Sequence, residues 1–144
     1  MALFTQDTKI KSLRQAPLFE GLSKRELTEL ARRSEDMELD AGTVLCREGD
    51  VGQEFFVILE GEVEVKRKGK RLGTRGAGDF IGEIALLEDI KRTATVTAKT
   101  PLHVFVLTRP AFQHLVNEHP AVERKVLRTL ARRLAALSTD PAVS

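Results

Sequence analysis

The reading of this chain starts from Gly76-Ala77-Gly78-Asp79-Phe80-Ile81-Gly82-Glu83-Ile84-Ala85-Leu86-Leu87-Glu88-Asp89-Ile90-Lys91-Arg92-Thr93-Ala94-Thr95. Glycines at 76, 78 and 82 allow the backbone to turn sharply and to come close to a ligand. Glu83 to Leu87 are good helix formers with room for little more than one turn. The free N–H groups at about Gly82 to Ala85 make an anion site even in so short a helix. Arg92, entering the next strand, adds a planar fork of donors suited to two phosphate oxygens. Glu83 supplies an acceptor for a hydroxyl beside that phosphate. An anion site and a hydroxyl acceptor on neighbouring backbone predict a pocket for a sugar phosphate. The plainer alternatives are a structural ion pair for Arg92 and a helix-dipole acid for Glu83, the latter worth about 0.3–1 kcal/mol.

On both sides of this stretch the pattern is that of short strands. Val44-Leu45, Phe55 to Leu59, Val63-x-Val65, Thr95 to Thr97 and Val104 to Leu107 are β-branched or aromatic runs. Nine of the ten glycines lie between Met37 and Leu107, in the gaps between these runs. The ends of the chain are helical. Ile10 and Leu13 sit at helical spacing before Pro17, and Ser23 with Glu26 forms a capping box for a helix carrying Leu27, Leu30 and Ala31 to near Ser34. Thr108-Arg109-Pro110 opens another helix, which Pro120 stops, and a last one runs from about Ala121 to Leu137. The expected fold is α+β: a β-jelly-roll barrel flanked by N-terminal helices and two C-terminal helices. It divides into a helical lead-in at 1–34, a barrel at 35–108 containing the 76–95 segment, and hinge and lid helices at 109–137, all in one domain.

Composition narrows the function classes. The 144 residues carry 23 Lys and Arg against 21 Asp and Glu, a net charge of +2, so no global field points to nucleic acid or an anionic membrane. A single cysteine, Cys46, excludes an internal disulfide and reads as a small buried hydrophobe on a strand. With no apolar run near the roughly 20 residues of a membrane span and a polar N-terminus, a cytoplasmic location is expected. Gly73-x-x-Gly76-x-Gly78 is not a dinucleotide-binding loop, because basic, loop-like residues 66–71 precede it and no long helix follows. His103, His114 and His119 form no His-x-His pair, so no metal site is expected, and no nucleophile has a paired base. Arg124, Lys125, Arg128 and Arg132 along the last helix read as a solvated face. Leu127, Leu130, Leu134 and Leu137 opposite them suit either packing within the chain or a dimer seam.

The 76–96 region resembles the phosphate-binding cassette of the cyclic nucleotide-binding domain family, which includes protein kinase A regulatory subunits, cyclic-nucleotide-gated channels and bacterial catabolite activators. That cassette reads approximately F-G-E-(aliphatic)-A-L, then R-(T/S/A)-A-(T/S)-V. Here Phe80-Ile81-Gly82-Glu83-Ile84-Ala85-Leu86-Leu87 is followed by Arg92-Thr93-Ala94-Thr95-Val96, with arginine nine positions after glutamate. Glu48-Gly49-Asp50 and Phe55 to Val63 resemble an earlier hairpin of the family. The resemblance implies that Arg92 pairs with a cyclic phosphate and Glu83 accepts from the ribose 2′-hydroxyl. Amides of Gly82, Ala85 and Thr93 would hold phosphate and ribose oxygens, beside Ile84, and Val65 would line the base side.

From the resemblance the expected function is a cyclic nucleotide sensor, not an enzyme, that couples binding to movement of its C-terminal helices. The expected ligand is cAMP, with cGMP as the alternative because Thr93 can serve a guanine. No resident cofactor or metal is implied. The expected partners are the nucleotide and a separate protein effector, with no nucleic acid or membrane, and a homodimer through the last helix is open. The chain has no Trp or Tyr to stack on a base, so Arg132 or Arg133, or Leu134 and Leu137, would take that role. The other readings are a nucleotide-blind interaction scaffold and the sensor part of a larger transcription regulator or channel.

Overall fold

Two segments, Phe55 to Leu59 and Val104 to Leu107, are apolar at nearly every position, which a strand tolerates only when both of its faces are covered. The computed structural model, which describes residues 6–83 and 90–137, puts both at the centre of one sheet. Its elements are α1 (Gln6–Gln15), a 3₁₀ turn (Pro17–Phe19), α2 (Lys24–Arg32), β1 (Ser34–Leu39), β2 (Val44–Cys46), β3 (Glu54–Glu60), β4 (Val63–Arg67) and β5 (Lys70–Arg75). After these come β6 (Phe80–Ile81), β7 (Thr95–Ala98), β8 (Leu102–Thr108), α3 (Arg109–Glu118) and α4 (Pro120–Leu137). Two four-stranded antiparallel sheets form, in the orders β1-β8-β3-β6 and β2-β7-β4-β5.

Strand alternation sends residues from the first sheet into two cores. Phe55, Val57, Phe105 and Leu107 face the helices and pack with Leu13, Phe19, Leu27 and Phe112. The Phe55 and Phe112 rings stand 4.4 Å apart, fixing α3 on β3. Phe56, Ile58, Val104 and Val106 face the second sheet and meet Val63, Val65 and Val96. The order is therefore helices, sheet, sheet. The expected jelly roll is present, but among the described residues no ladder joins the two sheets, so they oppose each other without closing as a barrel.

The capping box forms as the sequence predicts: Ser23 Oγ accepts from Glu26 N at 3.1 Å, and Glu26 Oε1 accepts from Ser23 N at 2.9 Å. Two boundaries differ. β1 begins at Ser34, where the sequence predicted the end of a helix, and the segment 66–71 read as loop-like holds the end of β4 and the start of β5. β1 and β5 are edge strands, and Glu35, Glu38, Lys70 and Arg71 on them are exposed, where charge protects an edge from unwanted pairing. Most of the segment 82–87, where a short helix is expected, lies outside the described residues.

Candidate functional site

Arg92 is positioned by the turn before β3. Asp50 O accepts from Arg92 N at 2.8 Å, and Arg92 O accepts from Gly49 N at 2.9 Å. Gly49 takes φ +89°, a backbone state open chiefly to glycine, and so allows the turn to reach across. Glu48 N also donates to Thr95 Oγ1 at 3.0 Å, anchoring the same turn to β7. The Glu48-Gly49-Asp50 element thus clamps the Arg92 backbone at the edge of the second sheet.

The Arg92 guanidinium donates to Gly82 O at 3.1 Å and to Glu54 O at 2.7 Å. It is 8% exposed and pairs with no carboxylate among the described residues, so the structural-ion-pair alternative does not hold there. Carbonyl dipoles satisfy some of its N–H groups but leave its full charge uncompensated, which favours an anion nearby. Gly82 is required for this packing. A Cβ there would stand 2.6 Å from an Arg92 terminal nitrogen and 2.7 Å from Glu54 O, and the residue holds φ +95°.

Glu83 is 3% exposed, and its Oε1 accepts from Arg133 of α4 at 2.9 Å. The other terminal nitrogen of Arg133 donates to Phe80 O at 2.6 Å, and its guanidinium lies 4.8 Å from the centre of the Phe80 ring. Burial pushes the Glu83 carboxyl above the ordinary glutamate value, while Arg133 and then Arg75 oppose that shift. Burial also pushes the Arg133 guanidinium down, against the pull of Glu83. One desolvated pair therefore joins the last helix to the cassette.

These groups border a cavity of about 420 Å³, within the range of small-molecule sites. The second sheet contributes Cys46, Val65, Arg67, Leu72, Arg75 and Val96. The cassette contributes Ile81, Gly82, Glu83, Arg92, Thr93 and Ala94, and α4 closes one side with Leu130, Arg133, Leu134 and Leu137. Four arginines against one carboxylate give the lining a positive excess that suits an anionic guest with an apolar part. Burial pushes the Cys46 thiol up to about 11, leaving it a neutral wall atom at physiological pH.

Of the residues singled out in the sequence, Val65, Gly82, Glu83, Arg92 and Thr93 line this cavity, while Ile84 and Ala85 lie outside the described residues. Arg133 was named only as a candidate base cap; its bond to Glu83 depends on where α4 lies, which no local pattern encodes. Arg132 borders a different cavity. Arg67, Leu72 and Arg75 were missed because 66–71 had been read as loop-like and no strand was expected over 72–75. His103, a strand residue as expected, bonds Asp36 Oδ1, and His119 bonds Glu26 Oε2 at 3.0 Å. Among the described residues no three His, Cys, Asp or Glu side chains gather as a metal site. Nor is any helix there long and apolar enough to cross a membrane.

Known proteins resemble this chain in sequence and in fold. The family model described as the cyclic nucleotide-binding domain matches residues 36–119. A cAMP-dependent protein kinase regulatory subunit from Yarrowia lipolytica is 39% identical over 107 residues, covering 73% of this chain and 28% of the subunit. A solved regulatory subunit of a cAMP-independent protein kinase A from Trypanosoma brucei superposes with TM-score 0.78 at 30% identity, covering 86% of this chain and 45% of that one. A solved cAMP-binding acyltransferase from Mycobacterium smegmatis gives TM-score 0.76 at 32% identity, covering 91% and 42%. The chain therefore spans less than half the length of each of these relatives. With the match extending over more than half of its residues, the chain belongs to the cyclic nucleotide-binding domain family.

Proposed function

We propose that the cavity binds a purine 3′,5′-cyclic monophosphate, cAMP in the first instance, and that occupancy sets the position of α4. The observation that carries this reading is the placement of a buried guanidinium and a buried carboxylate, Arg92 and Glu83, on the wall of one small-molecule-sized cavity. The phosphate meets Arg92, whose remaining N–H donors suit its oxygens. The ribose 2′-hydroxyl donates to Glu83, and the base lies against Val65 and the leucines of α4. Ile84 and Ala85 complete the cassette on the strength of the sequence resemblance. No catalytic step is assigned.

The link to α4 runs through Arg133. A guest that hydrogen-bonds Glu83 alters the partner of Arg133, and one that touches Leu134 and Leu137 holds the helix directly. A ligand shifts such an equilibrium only by its differential affinity for the two helix positions. The shift would be read by a separate effector protein or by further parts of a longer protein, in keeping with relatives named as kinase regulatory subunits.

A nucleotide-blind scaffold is the second reading. It is favoured by the Glu83–Arg133 bond, which already occupies the carboxylate, and by a relative described as cAMP-independent. A thermal-shift screen with cAMP, cGMP, and linear and cyclic dinucleotides separates the two. Ligand at 100 Kd raises stability by about 2.7 kcal/mol. A rise with cAMP supports the sensor; no response to any of these nucleotides supports the scaffold.

A further inference from the structure

The basic residues of α4 do not form a plain solvated face. Lys125, Arg128, Thr129 and Arg132 stand at spacings of three, four and seven, on one side of the helix. They form one wall of a second cavity of about 430 Å³, which is separate from the one bordered by Arg92. Its opposite wall is the 3₁₀ turn with Glu20 and the loop Ala77 to Phe80.

This groove is built. Lys125 Nζ donates to Pro17 O at 2.9 Å and to Glu20 O at 3.1 Å, fastening α4 to the 3₁₀ turn. The loop is tied to β3 by Gly78 N donating to Ile58 O at 2.8 Å and Ile58 N donating to Asp79 O at 2.9 Å. Asp79 Oδ2 accepts from Gly76 N at 3.0 Å, and among the described residues Asp79 forms no ion pair with Arg128 or Arg132. Arg132 bonds only Thr129 Oγ1, at 3.3 Å, and Arg128 has no hydrogen bond or ion pair among the described residues. Two exposed guanidiniums thus overhang a cleft whose floor includes the apolar Pro17, Leu18 and Phe80.

We propose that this groove is a docking site for an acidic peptide segment of a partner protein, in which carboxylates pair with Arg128 and Arg132 and apolar side chains fill the cleft. Guanidiniums grip carboxylates through two parallel hydrogen bonds, the mode by which arginine clusters recognise acidic motifs. The carboxylates of Glu20 and Asp79 across the groove disfavour a uniformly anionic polymer such as RNA, whereas a peptide can place an apolar residue opposite them. Charge complementarity of this kind sets partner choice and association rate.

The test measures fluorescence anisotropy of a labelled nonapeptide, Glu-Leu-Glu repeated three times, at low and high salt. The controls are the same peptide with lysine for glutamate, a nine-nucleotide RNA and inorganic phosphate. Wild-type protein is expected to bind the acidic peptide saturably, and the Arg128→Glu/Arg132→Glu variant at least about tenfold more weakly. The milder Arg128→Gln/Arg132→Gln variant should fall between them. Both changes are to exposed positions with little cost in helix propensity, and a cooperative melt checks that they fold. Equal affinity of wild type and both variants, equal binding of the lysine peptide, binding of RNA or phosphate alone, or no binding of the acidic peptide by wild type would overturn the proposal. Calorimetry with cAMP on the same proteins reports on the other cavity independently.

Discussion

Replacing Arg133 by alanine breaks the connection between α4 and the cassette, and the cost can be worked from its contacts. The substitution removes a charge-assisted bond to Glu83 and a second one to Phe80 O. Bonds to charged groups contribute about 1.5–3 kcal/mol each. Cation–π contact with Phe80 adds about 0.5–1 kcal/mol. Against these stands about 2 kcal/mol of rotamer entropy that the arginine regains, together with the higher helix propensity of alanine. The Arg133 side chain is also 17% exposed, so part of its interaction is screened. The net expectation is a loss of about 2–4 kcal/mol at neutral pH. Urea unfolding of wild type, Arg133→Ala, Glu83→Gln and the double variant gives the charge-dependent part of the coupling, because Glu83→Gln removes the carboxylate charge while keeping the side chain's shape. A coupling of about 1–2 kcal/mol is expected.

The pH dependence follows from the same pair. Glu83 is raised above its unfolded value, so across the window just above the ordinary glutamate range the folded protein holds the extra proton and stability falls as pH rises. Without Arg133 the largest force opposing that rise is gone, and the carboxyl protonates more readily. The deficit of Arg133→Ala should therefore shrink towards acid. Single variants that add within about 0.3–0.5 kcal/mol, or a deficit independent of pH, would refute the reasoning.

Two further outcomes are expected. Gly82→Ala drives a methyl into Glu54 O and the Arg92 guanidinium at a positive φ. It should lower the melting temperature by several degrees and weaken nucleotide binding by at least about tenfold, through a shift of Arg92 of the kind that costs orders of magnitude in well-fitted sites. Unchanged binding and melting would show that the close approach is not required. Burial raises the Asp36 carboxyl above its ordinary value, against the hydrogen bond from His103. Stability therefore falls as pH rises through the window just above the ordinary aspartate range, and Asp36→Asn should remove up to one proton from that slope in pH-dependent urea unfolding; an identical slope would contradict the assignment.

The parts of the fold legible in the sequence are those where local chemistry and burial agree. Ser23 with Glu26 marks a helix start, and the unbroken apolar runs of β3 and β8 mark strands covered on both faces. β1 and β5 were missed in whole or in part because edge strands carry Glu35, Asp36, Lys70 and Arg71, which look like loop residues when the sheet beside them is unknown. Arg92 and Glu83 stood out because glycines bracket them within a short span. The cavity residues Arg67, Leu72 and Arg75 did not, since their place depends on the register of β5 against β4. Arg133 lies fifty positions from Glu83, and their meeting is a product of how α4 docks.

The most direct test of the central claim is calorimetric titration of cAMP, with cGMP in parallel, into wild type and Arg92→Lys. Lysine keeps a positive charge but lacks the fork that spans the two carbonyls and a phosphate, and a cooperative melt establishes that the variant is folded. Wild type should bind one cyclic nucleotide per chain, and the variant should bind at least about 100-fold more weakly, the scale of a lost bidentate contact to a charged group. Absence of heat with either nucleotide in wild type, or equal affinity in a folded Arg92→Lys, would contradict the account.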